Sequence, residues 1–253
     1  MLRIGVGKVQ PREAEFPEHG RADFPWGHEM HMIDLAGTCR HIVRDWATSM
    51  LKLLGKPTSI NVRKVLWLGE ELALQIDHAP MQAPGDAESL RRLNPNGLVP
   101  VLIDGTAVLW ESNTICRYLA ARQRRHDLLP AEPLARARVE QWMDWQATDL
   151  NSAWRPAFMA LVRHSPAFQD AAVIDHSVAA WNRLMTVLDA QLATTGAFVT
   201  GADLTLADIV LGLSANRWRM TPMARPALPA VDAWIARLET RPGYRAHAGN
   251  GIP

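Results

Sequence analysis

The chain has 253 residues, 48% apolar and 21% charged, the balance of a globular protein long enough to bury a real core. Its formal net charge of +1 gives no overall basic field, so neither nucleic acid nor a membrane surface is expected as a partner, and no apolar run approaches the ~18 residues that span a bilayer. The two cysteines, Cys39 and Cys116, lie far apart in sequence, which excludes a disulfide framework and a four-cysteine zinc site and makes the cytoplasm the expected compartment.

Residues 1–49 show little periodicity and hold four of the nine histidines. The opening MLRIGVGKVQPREAEF lacks the apolar stretch of a secretory signal. Regular patterning starts abruptly at Met50, so 1–49 is read as a loosely ordered extension, or as sequence upstream of the natural start. His28, His31, Cys39 and His41 match no ligand spacing, and no metal is expected.

From 50 to 122 the pattern alternates strand and helix. A short apolar strand at 50–54 is broken by Lys56-Pro57-Thr58. Apolar residues at 62, 65, 66 and 72 give a helix over 60–72. A strand follows at 75–79, then a Pro- and Gly-rich loop over 80–97 with one helical turn near 88–93. Strands at 99–103 and 107–110 flank Asp104-Gly105-Thr106, a hairpin signal. A helix over 111–122 completes an α/β layer. Residues 123–134 have linker composition. The rest, 135–245, reads as all-α, with helices at 134–163 (kinked at Pro156), 167–193, 206–219 and 230–239, and 246–253 as a tail. Thr205 and Asp208 have the spacing of a capping box, with Leu204 and Ile209 placed as a hydrophobic staple.

Four segments, TSINVRKV at 58–65, NPNGLVPVL at 94–102, LWESNTICRYLA at 109–120 and TGADLTLADI at 200–209, occur in this order across an α/β and a helical region. From Met50 to about Tyr244 the chain resembles the glutathione transferase family. The resemblance implies a thioredoxin-like N-terminal domain over 50–122 followed by an all-helical domain over 135–245. It implies a cytosolic homodimer and an enzyme that uses glutathione as co-substrate, its thiolate attacking a small, soft, apolar electrophile.

It also assigns roles by position. Pro100 matches the family's cis-proline, which presents the backbone of Val99, beside Leu98, to the cysteinyl part of glutathione. Glu111 and Ser112 match the pair that holds the γ-glutamyl end, and Ser112 at a helix start suits a carboxylate on physical grounds too. Tyrosine occurs only at 118 and 244, so the tyrosine and cysteine types of thiol activation have no candidate near position 59. Ser59 matches the serine of serine-type classes and Asn61 the asparagine of some bacterial members; a donor at a helix N-terminus aimed at sulfur favours the thiolate. Arg91, Arg92 or Asn94 would anchor the glycyl carboxylate. Asn151, Trp154, Arg155 and Phe158 are expected to line the electrophile pocket, while Trp142, Trp145, Trp181 and Cys116 read as core. Two other readings stand beside the transferase: a glutathione-dependent peroxidase or disulfide reductase, and a non-catalytic glutathione- or ligand-binding protein.

Overall fold

The computed structural model of the chain describes residues 50–81 and 86–253. The expectations for 1–49, including the four candidate metal ligands, lie outside the described residues.

Four strands, β1 (Leu51–Leu54), β2 (Ile76–Ala79), β3 (Val101–Asp104) and β4 (Ala107–Trp110), form one sheet in the order β2-β1-β3-β4. β1 and β2 are parallel, so the chain between them must cross over; it does so as α1 (Ile60–Glu71). β3 runs antiparallel to β1, with Leu53 opposite Leu102, and β4 returns antiparallel to β3. The hairpin between them is the one the Asp-Gly signal predicts, with Gly105 at φ 59°. Asp104, buried at its base, accepts from the Tyr118 hydroxyl (2.7 Å) and pairs with Arg122 (2.8 Å), locking the hairpin to α3 (Ser112–Arg122). β3 begins two residues later than the apolar run predicts, because Val99 and Pro100 are used in a cis-peptide turn before the strand. α2 (Asp86–Leu93) extends the single predicted turn.

The remaining described elements are helical: α4 (Pro133–Trp145), α5 (Asn151–Leu161), α6 (Ala171–Thr195), α7 (Leu206–Met220), α8 (Pro229–Leu238) and α9 (Pro242–His247). The helix expected over 134–163 is two helices joined by a π-helical turn at Gln146–Leu150. Pro156 lies inside α5 without ending it. The Ser177 hydroxyl, reaching from α6, enters the α5 ladder there, accepting from the Ala157 amide (3.0 Å) and donating to the Ala153 carbonyl. The third long helix starts at Ala171 rather than 167, because the Asp170 carboxylate caps it by accepting from the amides of Ala172 and Val173. The segment expected as a tail is also engaged: α9 runs into it, and the Arg63 guanidinium donates to the carbonyl oxygens of Ile252 (2.7 Å) and Pro253 (2.8 Å).

α7 is the central helix, buried on nearly every side. Its start is fixed by the capping box: the fully buried Asp208 accepts from the Thr205 amide (2.8 Å) and hydroxyl (3.1 Å), and its other oxygen takes the Val199 amide (2.8 Å) and the Trp234 indole (2.9 Å). α1 packs on α7, α9 and α3, and its fully buried Trp67 meets α7 and α9. A Cβ at Gly212 of α7 would stand 2.9 Å from the Trp67 ring, and one at Gly243 of α9 only 2.4 Å from it. Tyr244 meets the same ring edge-on at 5.3 Å. Glu71 closes the contact. Burial raises the pKa of this carboxyl, but a two-point ion pair with Arg241 (2.9 and 2.6 Å) and the Trp67 indole N–H hold it below the ordinary value. The α/β layer and the helices are thus tied together along α1, the helix whose N-terminus carries Ser59 and Asn61.

Candidate active site

Three chain segments meet at the N-terminal end of α1. The first is the turn after β1. Gly55, at φ 146°, lets the backbone pass where a Cβ would meet Val62 at 2.5 Å and Val99 at 2.9 Å. The chain then reaches Ser59, the N-cap of α1, whose carbonyl accepts from the Arg63 amide. Its hydroxyl makes no capping hydrogen bond, so a role as an ordinary cap does not account for the side chain. The second segment is the Leu98-Val99-Pro100 turn, with the Val99–Pro100 peptide cis and Leu98 63% exposed. Asn94 folds this loop from inside, donating to the Leu98 carbonyl (2.7 Å) and accepting from the Asn96 amide (3.0 Å). Asn94 is thus engaged within the loop and buried, while Arg91 and Arg92, the other two candidates for the glycyl carboxylate, are exposed. Lys56, which the sequence reading did not single out, joins Leu98 and Val99 in lining a 480 Å³ cleft here.

The third segment is the entry to α3. Glu111 is its N-cap with φ 69°, a backbone state uncommon outside glycine, and Ser112 is the first helical residue, 5% exposed. The Ser112 hydroxyl donates to the Asn61 side-chain oxygen at 3.3 Å. This bond joins the residue expected at the γ-glutamyl end to one expected at the sulfur. It also fixes the Asn61 amide with its N–H groups turned away from Ser112.

Asn61 and Ile60 open on a 370 Å³ cavity whose other wall is Ala147, Asn151, Ser152, Trp154 and Arg155. Three of the four residues expected in an electrophile pocket therefore share one cavity with Asn61. The fourth, Phe158, does not line it: only 3% exposed, it packs edge-on beneath Trp154 at 5.4 Å. Trp181 is fully buried, and Trp142 and Trp145 pack on the core as an edge-to-face pair. Cys116 is fully buried, and burial pushes its thiol up to about 12, which keeps it protonated and unreactive.

A buried polar chain, invisible to pattern reading, runs behind both halves of the site. The Lys64 ammonium of α1, fully buried, donates to Asn113 of α3 (3.1 Å) and to Gln146 of the π turn (2.7 Å). Gln146 donates to Asn151 (3.0 Å) and Ser214 (3.0 Å), and Asn151 also accepts the Trp154 indole N–H (2.9 Å). Asn113, next to Ser112, donates to the Met143 carbonyl (2.8 Å). Burial lowers the Lys64 pKa to about 8. No short-window signal marks it, because the solvent face of a helix spans well over ~100° and the adjacent Arg63 and Lys64 could both have lain on it; both are buried instead. Among the described residues no three His, Cys, Asp or Glu side chains gather as a metal site, and no helix is long and apolar enough to cross a membrane.

This arrangement has close counterparts among known proteins. The family description "Glutathione S-transferase, N-terminal domain" matches residues 53–127, and "Glutathione S-transferase, C-terminal domain" matches 171–237. Glutathione S-transferase GstB of Escherichia coli (strain K12) is 37% identical over 202 residues, 78% of this chain and 96% of that protein. Glutathione S-transferase 3 of Zea mays is 32% identical over 206 residues, 77% of this chain and 91% of its own. The theta-class glutathione S-transferase of Xanthomonas axonopodis pv. citri, solved with glutathione bound, is 37% identical and superposes with a TM-score of 0.73, covering 79% of this chain and 97% of that one. With both domain descriptions matched in order on a thioredoxin-like α/β layer and a helical bundle, the chain belongs to the glutathione S-transferase family.

Proposed function

We propose that this glutathione transferase holds glutathione across Val99, Glu111 and Ser112 and activates its thiol from the N-terminus of α1. The observation that carries the reading is the Ser112–Asn61 hydrogen bond, which ties an anion-binding helix start to a donor lining the adjacent cavity. The γ-glutamyl carboxylate fits the α3 N-terminus, where free amide N–H groups and the helix dipole favour negative charge. Glu111 complements the ammonium. A free thiol titrates near ~8.5. A hydrogen bond from the Ser59 hydroxyl, which no cap engages, stabilises the thiolate in preference to the thiol. The thiolate then attacks the electrophilic carbon of an acceptor in the cavity bounded by Asn151, Trp154 and Arg155. The C–S bond forms, the leaving group departs with its bonding pair, and the thiol proton passes to solvent.

A second assignment at the sulfur is favoured by a specific observation: Asn61 lines the cavity, and Ser112 orients its amide. Asn61 is the alternative thiol donor. The protein is further proposed to act in the cytoplasm as a homodimer. Exposed apolar side chains outside the cleft, such as Leu134 and Val173, support the dimer.

Calorimetric titration with glutathione tests the binding half. Ser112→Ala should weaken binding by about tenfold, because the bound carboxylate takes the one hydroxyl proton that Asn61 accepts at 3.3 Å in its absence, and should lower kcat/KM by a similar factor because the γ-glutamyl end takes no part in the reaction. Unchanged binding in Ser112→Ala would remove Ser112 from the site. Turnover of a hydroperoxide but not of an aryl halide would favour the peroxidase reading.

A further inference from the structure

Asn151 stands on the wall of the 370 Å³ cavity that faces Asn61 and Ile60. A carboxamide offers one accepting oxygen and two N–H groups, and its neighbours decide which end faces where. Here the choice starts at a group that can only donate. The Lys64 ammonium gives a proton to Gln146 Oε1 (2.7 Å), which leaves Gln146 Nε2 to donate to Asn151 Oδ1 (3.0 Å). The Trp154 indole, also a donor only, gives the same oxygen a second hydrogen bond (2.9 Å). Reversing the Asn151 amide would set N–H against N–H at both contacts. Its oxygen is therefore held on Gln146 and Trp154, and its N–H edge is turned away from them. One of those N–H groups reaches the Ala147 carbonyl at a long 3.3 Å, and the other has no partner among the described residues.

The π turn makes this arrangement possible. In an α-helix, residues five apart point about 140° away from one another. The wider turn at Gln146–Leu150 closes that angle and lets Gln146 meet Asn151. The other polar side chains on this wall that could reach a ligand, Ser152 and Arg155, are exposed, and no hydrogen bond among the described residues holds either one. Asn151 is thus the polar group of this wall whose direction is fixed before any ligand arrives. A fixed, neutral N–H donor across a cavity from a thiolate suits an oxygen that gains negative charge as the sulfur attacks.

We infer that the second substrate is a conjugated carbonyl compound of the aryl enone type, and that Asn151 is a catalytic residue that donates to its carbonyl oxygen. The thiolate adds to the β-carbon and the C–S bond forms. The electron pair of the C=C bond moves through the conjugated system onto the carbonyl oxygen, where the Asn151 N–H meets the growing charge. A proton from solvent then goes to the α-carbon and the C=O bond is restored; no group leaves. The aryl ring lies against Trp154, which lines the same wall. Gln146 and Lys64 are positioning residues that act through Asn151. The inference rests on the transferase reading and narrows the acceptor from any apolar electrophile to one activated by a carbonyl oxygen.

The test compares trans-4-phenyl-3-buten-2-one, which needs that oxygen, with benzyl chloride, which has none. Asn151→Asp keeps an accepting oxygen for Gln146 and Trp154 and removes only the N–H edge. It should lower kcat for the enone by about ten- to a hundredfold beyond any change for benzyl chloride, the loss expected for one hydrogen bond to a developing charge. The effect of the new carboxylate on the thiolate falls on both acceptors and cancels in the ratio. Asn151→Ala, which adds no charge, should show the same preference. Loss by one common factor for both acceptors, in both variants, would make Asn151 structural and overturn the inference while leaving the transferase reading intact. Calorimetric binding of the unreactive ketone 4-phenylbutan-2-one that Asn151→Asp weakens, with neither acceptor turned over by wild type, would keep the donor site and overturn the transferase reading.

Discussion

Asp208→Ala should be among the most damaging polar truncations in the helical region. The carboxylate is fully buried and accepts from four donors: the amides of Val199 and Thr205, the Thr205 hydroxyl and the Trp234 indole. Alanine leaves two buried backbone N–H groups and one indole N–H without partners. Each such orphan costs about 1–3 kcal/mol. Partial relaxation keeps the total below their sum, so about 3–5 kcal/mol is expected, in the range reserved for broken buried networks. Thr205→Ala removes only the hydroxyl bond and should cost about 1 kcal/mol. Asp208→Asn preserves the shape and one accepting oxygen, and should fall between the two. Urea unfolding followed by tryptophan fluorescence, at one protein concentration, reads these as shifts in midpoint with unchanged slope. If Thr205→Ala costs as much as Asp208→Ala, the carboxylate is not the hub of this junction and the argument fails.

Lys64 gives a pH signature. Its folded pKa, lowered to about 8 by burial, lies below its value of 10.5 in the unfolded chain, so the unfolded state binds more protons between those values and stability rises with pH across that window. The burial penalty is fully present below pH 8. Melting temperatures of wild type and Lys64→Met from pH 7 to 10.5 should therefore diverge in favour of wild type as pH rises; parallel curves would mean that the ammonium is not desolvated. Gly243→Ala places a methyl 2.4 Å from the Trp67 ring and should destabilise by about 1–3 kcal/mol in the same urea assay.

What could be read from the sequence was whatever a short window encodes. The Asp104-Gly105 hairpin, the Thr205–Asp208 cap and the Ser112 helix start each depend on residues within four positions of one another. The break between α4 and α5 could not be read, because a π turn admits one extra residue per turn without interrupting the apolar run; Pro156, the visible breaker, sits inside α5. The start of α6 was misplaced because Ala167 and Phe168 suit a helix, although Asp170 followed by Ala-Ala-Val is an N-cap signal in plain view. Phe158 was expected at the cleft because it lies one turn from Trp154, but the angle between their positions turns it under that ring. Lys64 and Gln146 escaped entirely. Burial of a polar side chain is decided by elements far away in sequence, here α3, α5 and α7, and leaves no periodic trace on its own helix.

The central claim, that the N-terminus of α1 activates the thiol of glutathione, is tested most directly by the ultraviolet absorbance of the enzyme-bound thiolate as a function of pH in wild type, Ser59→Ala and Asn61→Ala. A charge-assisted hydrogen bond of ~1.5–3 kcal/mol corresponds to about one to two pH units. Wild type should show thiolate at neutral pH, and Ser59→Ala should move the titration upward by that amount with Asn61→Ala moving it less. A shift in Asn61→Ala with none in Ser59→Ala would transfer the role to the asparagine, and a wild-type protein that binds glutathione without ionising it at neutral pH would contradict the claim itself.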